Sequence, residues 1–240
     1  MRHGLSLLLI WCWIAVSAFF VWAHAASASD FGGIPDLPNA GSLEFAVMRD
    51  GSEIGHHIVT FNRKGDGVEM SVETRVQVKI LGITVFRYEH DSAELWNKGQ
   101  LIKLTSRSNE NGDIDSLSVD LDVEDRLKIN GNGGQTTAPL GAVPSSLWYL
   151  GSLEDAQGYP LLHTIHGGVL PLKITPFERD QASDAIVDRV ETALIVEGEK
   201  VEGVDEAFYR ELWYDKDGLL IEARITADDG SDVRFTRVSP

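Results

Sequence analysis

The chain has 240 residues, 43% of them hydrophobic, with a formal net charge of -16 and a pI of about 4.7. That length holds one sizeable core, and a single all-β domain of roughly 200–250 residues is ordinary. A strongly acidic surface repels nucleic-acid phosphate and anionic lipid headgroups, which removes both from the expected partners.

The chain opens with Arg2 and an almost continuous apolar run from Leu5 to Trp22. Ala23-His24-Ala25 and Ala26-Ser27-Ala28 both present small residues where a signal peptidase reads them. The expectation is a secretory signal over 1–28, cleaved after Ala25 or Ala28, and a periplasmic or secreted protein. An uncleaved anchor is the alternative, because the run approaches the roughly 20 residues that span a bilayer. No later stretch is apolar enough to cross one. The only cysteine, Cys12, lies inside the run, so no intramolecular disulfide and no cysteine-based zinc site is available. Residues 29–41 are rich in Gly and Pro and read as a flexible lead-in. One β-rich domain is expected over 42–240.

The domain begins with a hairpin. Leu43, Phe45 and Val47 alternate with polar or small neighbours, Asp50-Gly51 supplies the turn, and Ile54 to Asn62 returns. The longest strand follows, with Val68, Met70, Val72, Val76, Val78 and Ile80 on one face and Thr74 keeping the register. Gly82 interrupts it. Between Val85 and Phe86 the apolar parity changes, which predicts a bulge. Glu94-Leu95-Trp96, a turn, and Gly99-Gln100-Leu101-Ile102 make the next hairpin; Asn111-Gly112 marks another turn, and Leu117 to Val123 alternates again. Leu127 to Asn130 ends in a loop over 131–134. Residues 135–158 lose the alternation; a short helix capped by Ser145 or Ser146 is expected near Trp148. Two strands are expected within 161–178 and 186–197. Tyr209 to Ile225 repeats the Glu-Leu-Trp order in a hairpin around Asp215-Lys216-Asp217-Gly218, and 233–238 closes the chain.

Candidate chemistry is thin. His56 and His57 are strand neighbours and point to opposite faces. His163 and His166 stand three apart in a segment that reads extended, as a zinc pair or as a solvent-facing or hydrogen-bonding pair. His90 faces away from Glu89 and Asp91. Ser145 and Ser146 lack a Gly-x-Ser-x-Gly elbow. Asp120, Asp122, Glu124 and Asp125 lack the glycine and glutamate of a calcium loop. No metal, cofactor or catalytic residue is assigned. Trp96, Trp148, Tyr149 and Trp213 are the candidate ligand-binding residues, and they either line a cavity or fill the core.

Arg49-Asp50-Gly51 with Ile54-Gly55-His56-His57, the Trp96 hairpin with Ser106 and Asn109, and Pro144-Ser145-Ser146-Leu147-Trp148 together resemble an uncharacterised family of secreted bacterial proteins, a domain of unknown function. More distantly, the repeated hairpins resemble the half-open barrels of periplasmic lipoprotein carriers. The first resemblance implies no activity; the second implies an apolar concavity. The expected fold is one highly curved antiparallel sheet, a half-open barrel-like meander with one or two short helices, plugged over 138–157. The expected function is an exported, non-enzymatic carrier of an apolar ligand such as a lipid or acyl chain. A periplasmic hydrolase and a structural envelope protein are the alternatives.

Overall fold

Asp50-Gly51, Leu81-Gly82, Lys98-Gly99 and Asn111-Gly112 each hold both residues at positive φ, from 48° to 107°. This is the two-residue turn whose twist matches that of paired strands. The structure, a computed structural model, describes residues 40–154, 156–184, 186–201, 207–227 and 229–238. The expected signal and nearly all of the lead-in fall outside these residues. These four turns, with a fifth at Gly65-Asp66, join β1 (Ala40–Arg49), β2 (Ser52–Lys64), β3 (Gly67–Ile80), β4 (Ile83–Asn97), β5 (Gln100–Glu110) and β6 (Asp113–Leu121) into a meander that β7 (Arg126–Gly131) and β8 (Gly134–Pro139) extend. The glycines expected as a loop form the tight turn of that last hairpin, where Gly131 pairs with Gly134.

The chain then crosses the inside of the sheet as a plug, residues 140–171. The plug holds β9 (Val143–Pro144), a single helical turn α1 (Gly151–Glu154), β10 (Leu161–Leu162) and β11 (Val169–Leu170). These three short strands pair only with one another, β9 with β10 in parallel. A second meander follows: β12 (Leu172–Pro176), β13 (Thr192–Gly198), β14 (Phe208–Tyr214), β15 (Leu220–Thr226) and β16 (Asp232–Arg237). Between β12 and β13, two 3-10 turns at Arg179–Gln181 and Val187–Arg189 form an excursion.

The two meanders make one antiparallel sheet of 13 strands, in the order β12 to β16, then β1 to β8. β16 pairs with β1, so the ends of the sheet are β12 and β8, and the sheet is not closed. One face of the sheet turns inward. Leu43, Val59, Met70, Trp96, Leu104, Val119, Ile129, Val196 and Leu212, from both meanders, share a single core with the plug residues Val143, Leu147, Trp148, Leu153, Leu161 and Leu170. A sheet this wide must curl to bury one face on itself. The alternation along β3 does what its period requires: Val68, Met70, Val72, Thr74 and Val76 are buried and their neighbours are not.

The expected parity break is a bulge. Val78 pairs with Phe86 and Lys79 with Thr84, leaving Val85 as the extra residue. Gly55 is needed where β2 crosses β3, since a Cβ there would lie 2.0 Å from the Arg75 carbonyl oxygen.

Candidate functional site

The inward face of β4 is polar where its neighbours are aliphatic. His90, Ser92, Glu94 and Trp96 share one parity and are all buried. β5 adds Ser106 and Ser108, β3 adds Thr74, and the plug adds Ser145, Ser146, His163 and Thr164. A polar seam therefore runs between sheet and plug. Most of it is satisfied locally. Ser106 Oγ donates to the Thr164 carbonyl at 2.6 Å, the Thr164 amide donates to Ser145 Oγ at 3.0 Å, and the two hydroxyls of Ser145 and Thr164 stand 2.9 Å apart. These bonds tie the plug to the sheet.

Glu94, Ser146 and His90 are the exceptions. Trp96 Nε1 donates to Glu94 Oε2 at 2.8 Å. The Ser146 hydroxyl lies toward the carboxyl and favours its ionised form. Yet no hydrogen bond of ordinary geometry closes between them, and Glu94 Oε1 and Ser146 Oγ are both left without a partner among the described residues. Burial outweighs the donors and pushes the Glu94 carboxyl up to about 7. The result is a carboxyl poised at neutral pH beside an unpartnered hydroxyl, within the buried seam between sheet and plug.

The histidines do not meet there. His57 faces inward and His56 outward, as their adjacency requires; His57 Nδ1 lies 2.8 Å from Thr74 Oγ1, and His56 reaches Glu73 at 3.4 Å. Burial drops His57 to about 3 and His90 to about 4. His90 Nδ1 has no partner among the described residues. His90 and Glu94 share a strand face, but four residues of strand span roughly 13 Å, so they cannot serve one reacting atom. His163 and His166 are neither in a strand nor both solvent-facing. Their segment is a loop, and their rings stack at 5.0 Å. His163 Nδ1 faces the Ile165 and His166 amides at 3.3 and 3.4 Å, which fixes it as an acceptor and leaves the proton on Nε2. Burial lowers it to about 3. Among the described residues, no group of three or more His, Cys, Asp or Glu is placed to hold a metal. Asp122 instead closes a turn, accepting the Glu124 and Arg126 amides at 2.8 and 3.0 Å.

The expected helix near Trp148 is absent. Residues 145–150 are turn and bridge, with Leu147 at φ 47°, and the helical turn comes later, at α1. Tertiary pairing decides this: the Ser145 amide donates to the Leu162 carbonyl, Leu150 to Gly218, and Leu220 to Trp148. Trp148 stacks on Phe61 at 5.4 Å and lies 5.7 Å from the Tyr149 ring. Trp148, Tyr149 and Trp96 belong to one core.

Trp213 does not join them. It lies on the outer face of the sheet with Ala182, Ile186, Val190, Ala193 and Ile221, roofed by the excursion between β12 and β13. The shared Glu-Leu-Trp order therefore does not put Trp96 and Trp213 in equivalent places. Each tryptophan is followed by one more strand residue before its turn, but Asn97 is exposed and Tyr214 is fully buried, so the two strands turn opposite parities inward. The residues that sequence reading missed are Glu94, Ser92 and Ser106; the available signal was the shared parity of Glu94 and Trp96 on a strand whose tryptophan had to face inward.

A groove on the outer face of β2 to β5, lined by Thr60, Asn62, Glu69, Ala93, Leu95 and Lys103, is open, and most of its exposed lining is apolar. It is not the apolar concavity that a half-open barrel implied; the plug occupies that space. No helix among the described residues is long and apolar enough to cross a membrane.

A model of a domain of unknown function, DUF6134, matches residues 45–238. A solved structure of a beta-barrel-like protein of domain of unknown function DUF1849, from Brucella abortus, is similar in fold with a TM-score of 0.53 at 9% identity, covering 83% of this chain and 96% of that one. No curated protein matches the sequence.

Proposed function

The chain belongs to the DUF6134 family of domains of unknown function, and from that premise we propose an exported, non-enzymatic binding protein for an apolar ligand with a polar head, such as an acyl chain or lipid. The observation that carries this reading is the unsatisfied polar pair, Glu94 Oε1 and Ser146 Oγ, buried in the seam between plug and sheet and beside the apolar core the two share. Buried polar atoms without partners are costly, and native chains keep few of them. A ligand head with a hydrogen-bond donor satisfies Glu94, and its chain replaces contacts between Phe61, Trp148 and the inner sheet face. Entry requires the plug to part from β2 to β5, where side chains such as Ser106 hold it, while its backbone bonds to the β14–β15 hairpin act as the hinge. Export rests on Arg2, the apolar run after it and the two small-residue sites.

Two measurements test the reading. Native mass spectrometry of protein taken from its producing cell is expected to show a retained ligand. A fluorescent fatty-acid probe is expected to bind wild type, and to bind Trp148→Ala and Glu94→Gln with altered affinity. No retained mass and no probe binding at any concentration would defeat the reading.

A further inference from the structure

The turn between β3 and β4 carries the longest run of exposed aliphatic side chains among the described residues. Ile80 is 59% exposed, Leu81 98%, Ile83 70% and Val85 51%. Single exposed aliphatics are ordinary on a protein surface, but a contiguous cluster marks a contact site.

The geometry around the cluster is unusual for a sheet. Pairing of β2 with β3 stops at Gly55 and Val76, where β2 bends toward β1. Pairing of β4 with β5 stops at Tyr88 and Glu110. Beyond these points four pairs, from Gln77 with Arg87 to Ile80 with Ile83, continue as a two-stranded ribbon with no strand on either side. At the rise of a strand the ribbon projects by roughly 13 Å. A free two-stranded ribbon is marginal in water by itself. The Val85 bulge then turns side chains of both parities outward. Ile80 and Leu81 precede and Ile83 and Val85 follow the turn, so the tip is apolar all round rather than on one face. A flat protein partner would cover one face; a fluid apolar medium covers all of them. Pairing across the hairpin satisfies only the inward-facing backbone groups of the ribbon, and its outer edges stay unpaired, so insertion is confined to the tip at the boundary between headgroups and acyl chains.

Charge places the limit of insertion. From Arg75 to Arg87 the chain has three cations and no acid, within a protein of net charge -16. Lys79 and Arg87 flank the apolar tip, at the level where long basic side chains reach back to phosphate. Arg87 also faces Glu89 at 3.9 Å. The shorter turns at the same end carry Asp50, Glu53, Glu110 and Asp113, which oppose an anionic surface and set how deep the tip can go. We infer that the β3–β4 hairpin tip docks the protein on a zwitterionic phospholipid surface, with Ile80, Leu81, Ile83 and Val85 among the acyl chains and Lys79 and Arg87 at the phosphates. The inference does not depend on the ligand proposed for the plug.

The test uses the chain from Ser29 onward, since every described residue lies within it and the apolar run of 1–28 would bind lipid by itself. That chain has no cysteine, so Leu81→Cys takes a single environment-sensitive fluorophore. With phosphatidylcholine vesicles its emission is expected to shift to the blue and to be quenched by lipids carrying a shallow acyl-chain quencher. Leu81→Asp with Ile83→Asp is expected to weaken vesicle binding by roughly tenfold or more, with an unchanged melting midpoint because both side chains are exposed. Wild-type protein that stays off the vesicles overturns the inference, as does double-variant protein that binds them as well. A fluorophore already shielded without lipid, together with concentration-dependent dimerisation that the double variant loses, would assign the tip to a second copy of the chain instead.

Discussion

Trp213 and Tyr214 are neighbours on β14 and are both fully buried, on opposite faces of one sheet. The phenol points into the main core and donates to the Leu147 carbonyl of the plug at 2.8 Å. The indole points outward beneath the excursion, against Phe177 at 5.2 Å and under the Arg224 guanidinium at 5.1 Å. Glu222, also fully buried, pins the same excursion by accepting from the Ser183 hydroxyl at 2.6 Å.

Trp213→Ala is therefore expected to lower stability by about 3–5 kcal/mol and to release the excursion first. Hydrogen exchange should quicken across 179–190 while amides of β3 to β5 stay protected. Trp148→Ala should cost at least as much and should quicken exchange in the plug and β2, because its ring belongs to the main core.

Glu94 gives a signed pH dependence. Burial holds its carboxyl near 7 against an ordinary value of 4.5. Between those values the folded chain keeps a proton that the unfolded chain has lost, so stability falls as pH rises. The full loss is on the order of 3 kcal/mol, beginning above pH 4.5 and complete past pH 7. Glu94→Gln keeps an acceptor for Trp96 and removes the titration. Urea unfolding of the variant should show a gain at pH 8 and little change at pH 5.

The buried histidines act in the opposite sense. Burial lowers His57 to about 3, His90 to about 4 and His163 to about 3, against 6.5 when unfolded. The unfolded chain binds these protons first, so their contribution is whole above pH 6.5 and is lost as pH falls through 4 and 3. Melting midpoints should peak near pH 6.5 and drop on both sides. His163→Asn, which keeps an acceptor for the 165 and 166 amides, should make the acid side shallower.

Arg237 reaches from β16 to the β14–β15 turn, where it donates to Asp215 at 2.6 Å and to the Leu220 carbonyl at 3.2 Å. Both charges are nearly buried. Arg237→Met leaves Asp215 uncompensated and should cost about 3–5 kcal/mol, read as a lower denaturation midpoint with an unchanged slope.

Period-two patterns made the sheet, its turns and even the Val85 bulge legible, because each is a local matter of parity. The place of Trp213 was not, since Glu-Leu-Trp reads alike in both strands and its outward parity depends on the excursion between β12 and β13 that covers it. The break in the sheet and the plug were legible, although 135–139, expected to lie in the break, is strand β8 and the plug begins at Leu140. Its conformation was not, because Ser145, Leu150 and Leu220 find backbone partners far away in sequence, which override the local preference for a helix. The polar seam was half visible: Glu94 could be placed inward, but its nearness to Ser146 brings a sheet strand beside a plug residue far away in sequence.

The pairing of β1 with β16 has a consequence for synthesis. Phe45 lies opposite Arg237, and Arg49 opposite Val233. A ribosome finishes β1 to β8 while the partner of β1 is still unmade, so one flank of the early meander carries unpaired amides and carbonyls until β16 emerges. Such a flank templates aggregation. Nascent chains stalled before Asp232 should accordingly be recognised by holdase chaperones and degraded quickly, whereas a circular permutant that joins the two ends and opens at the β8 side would make both partners of the seam consecutively and should refold faster.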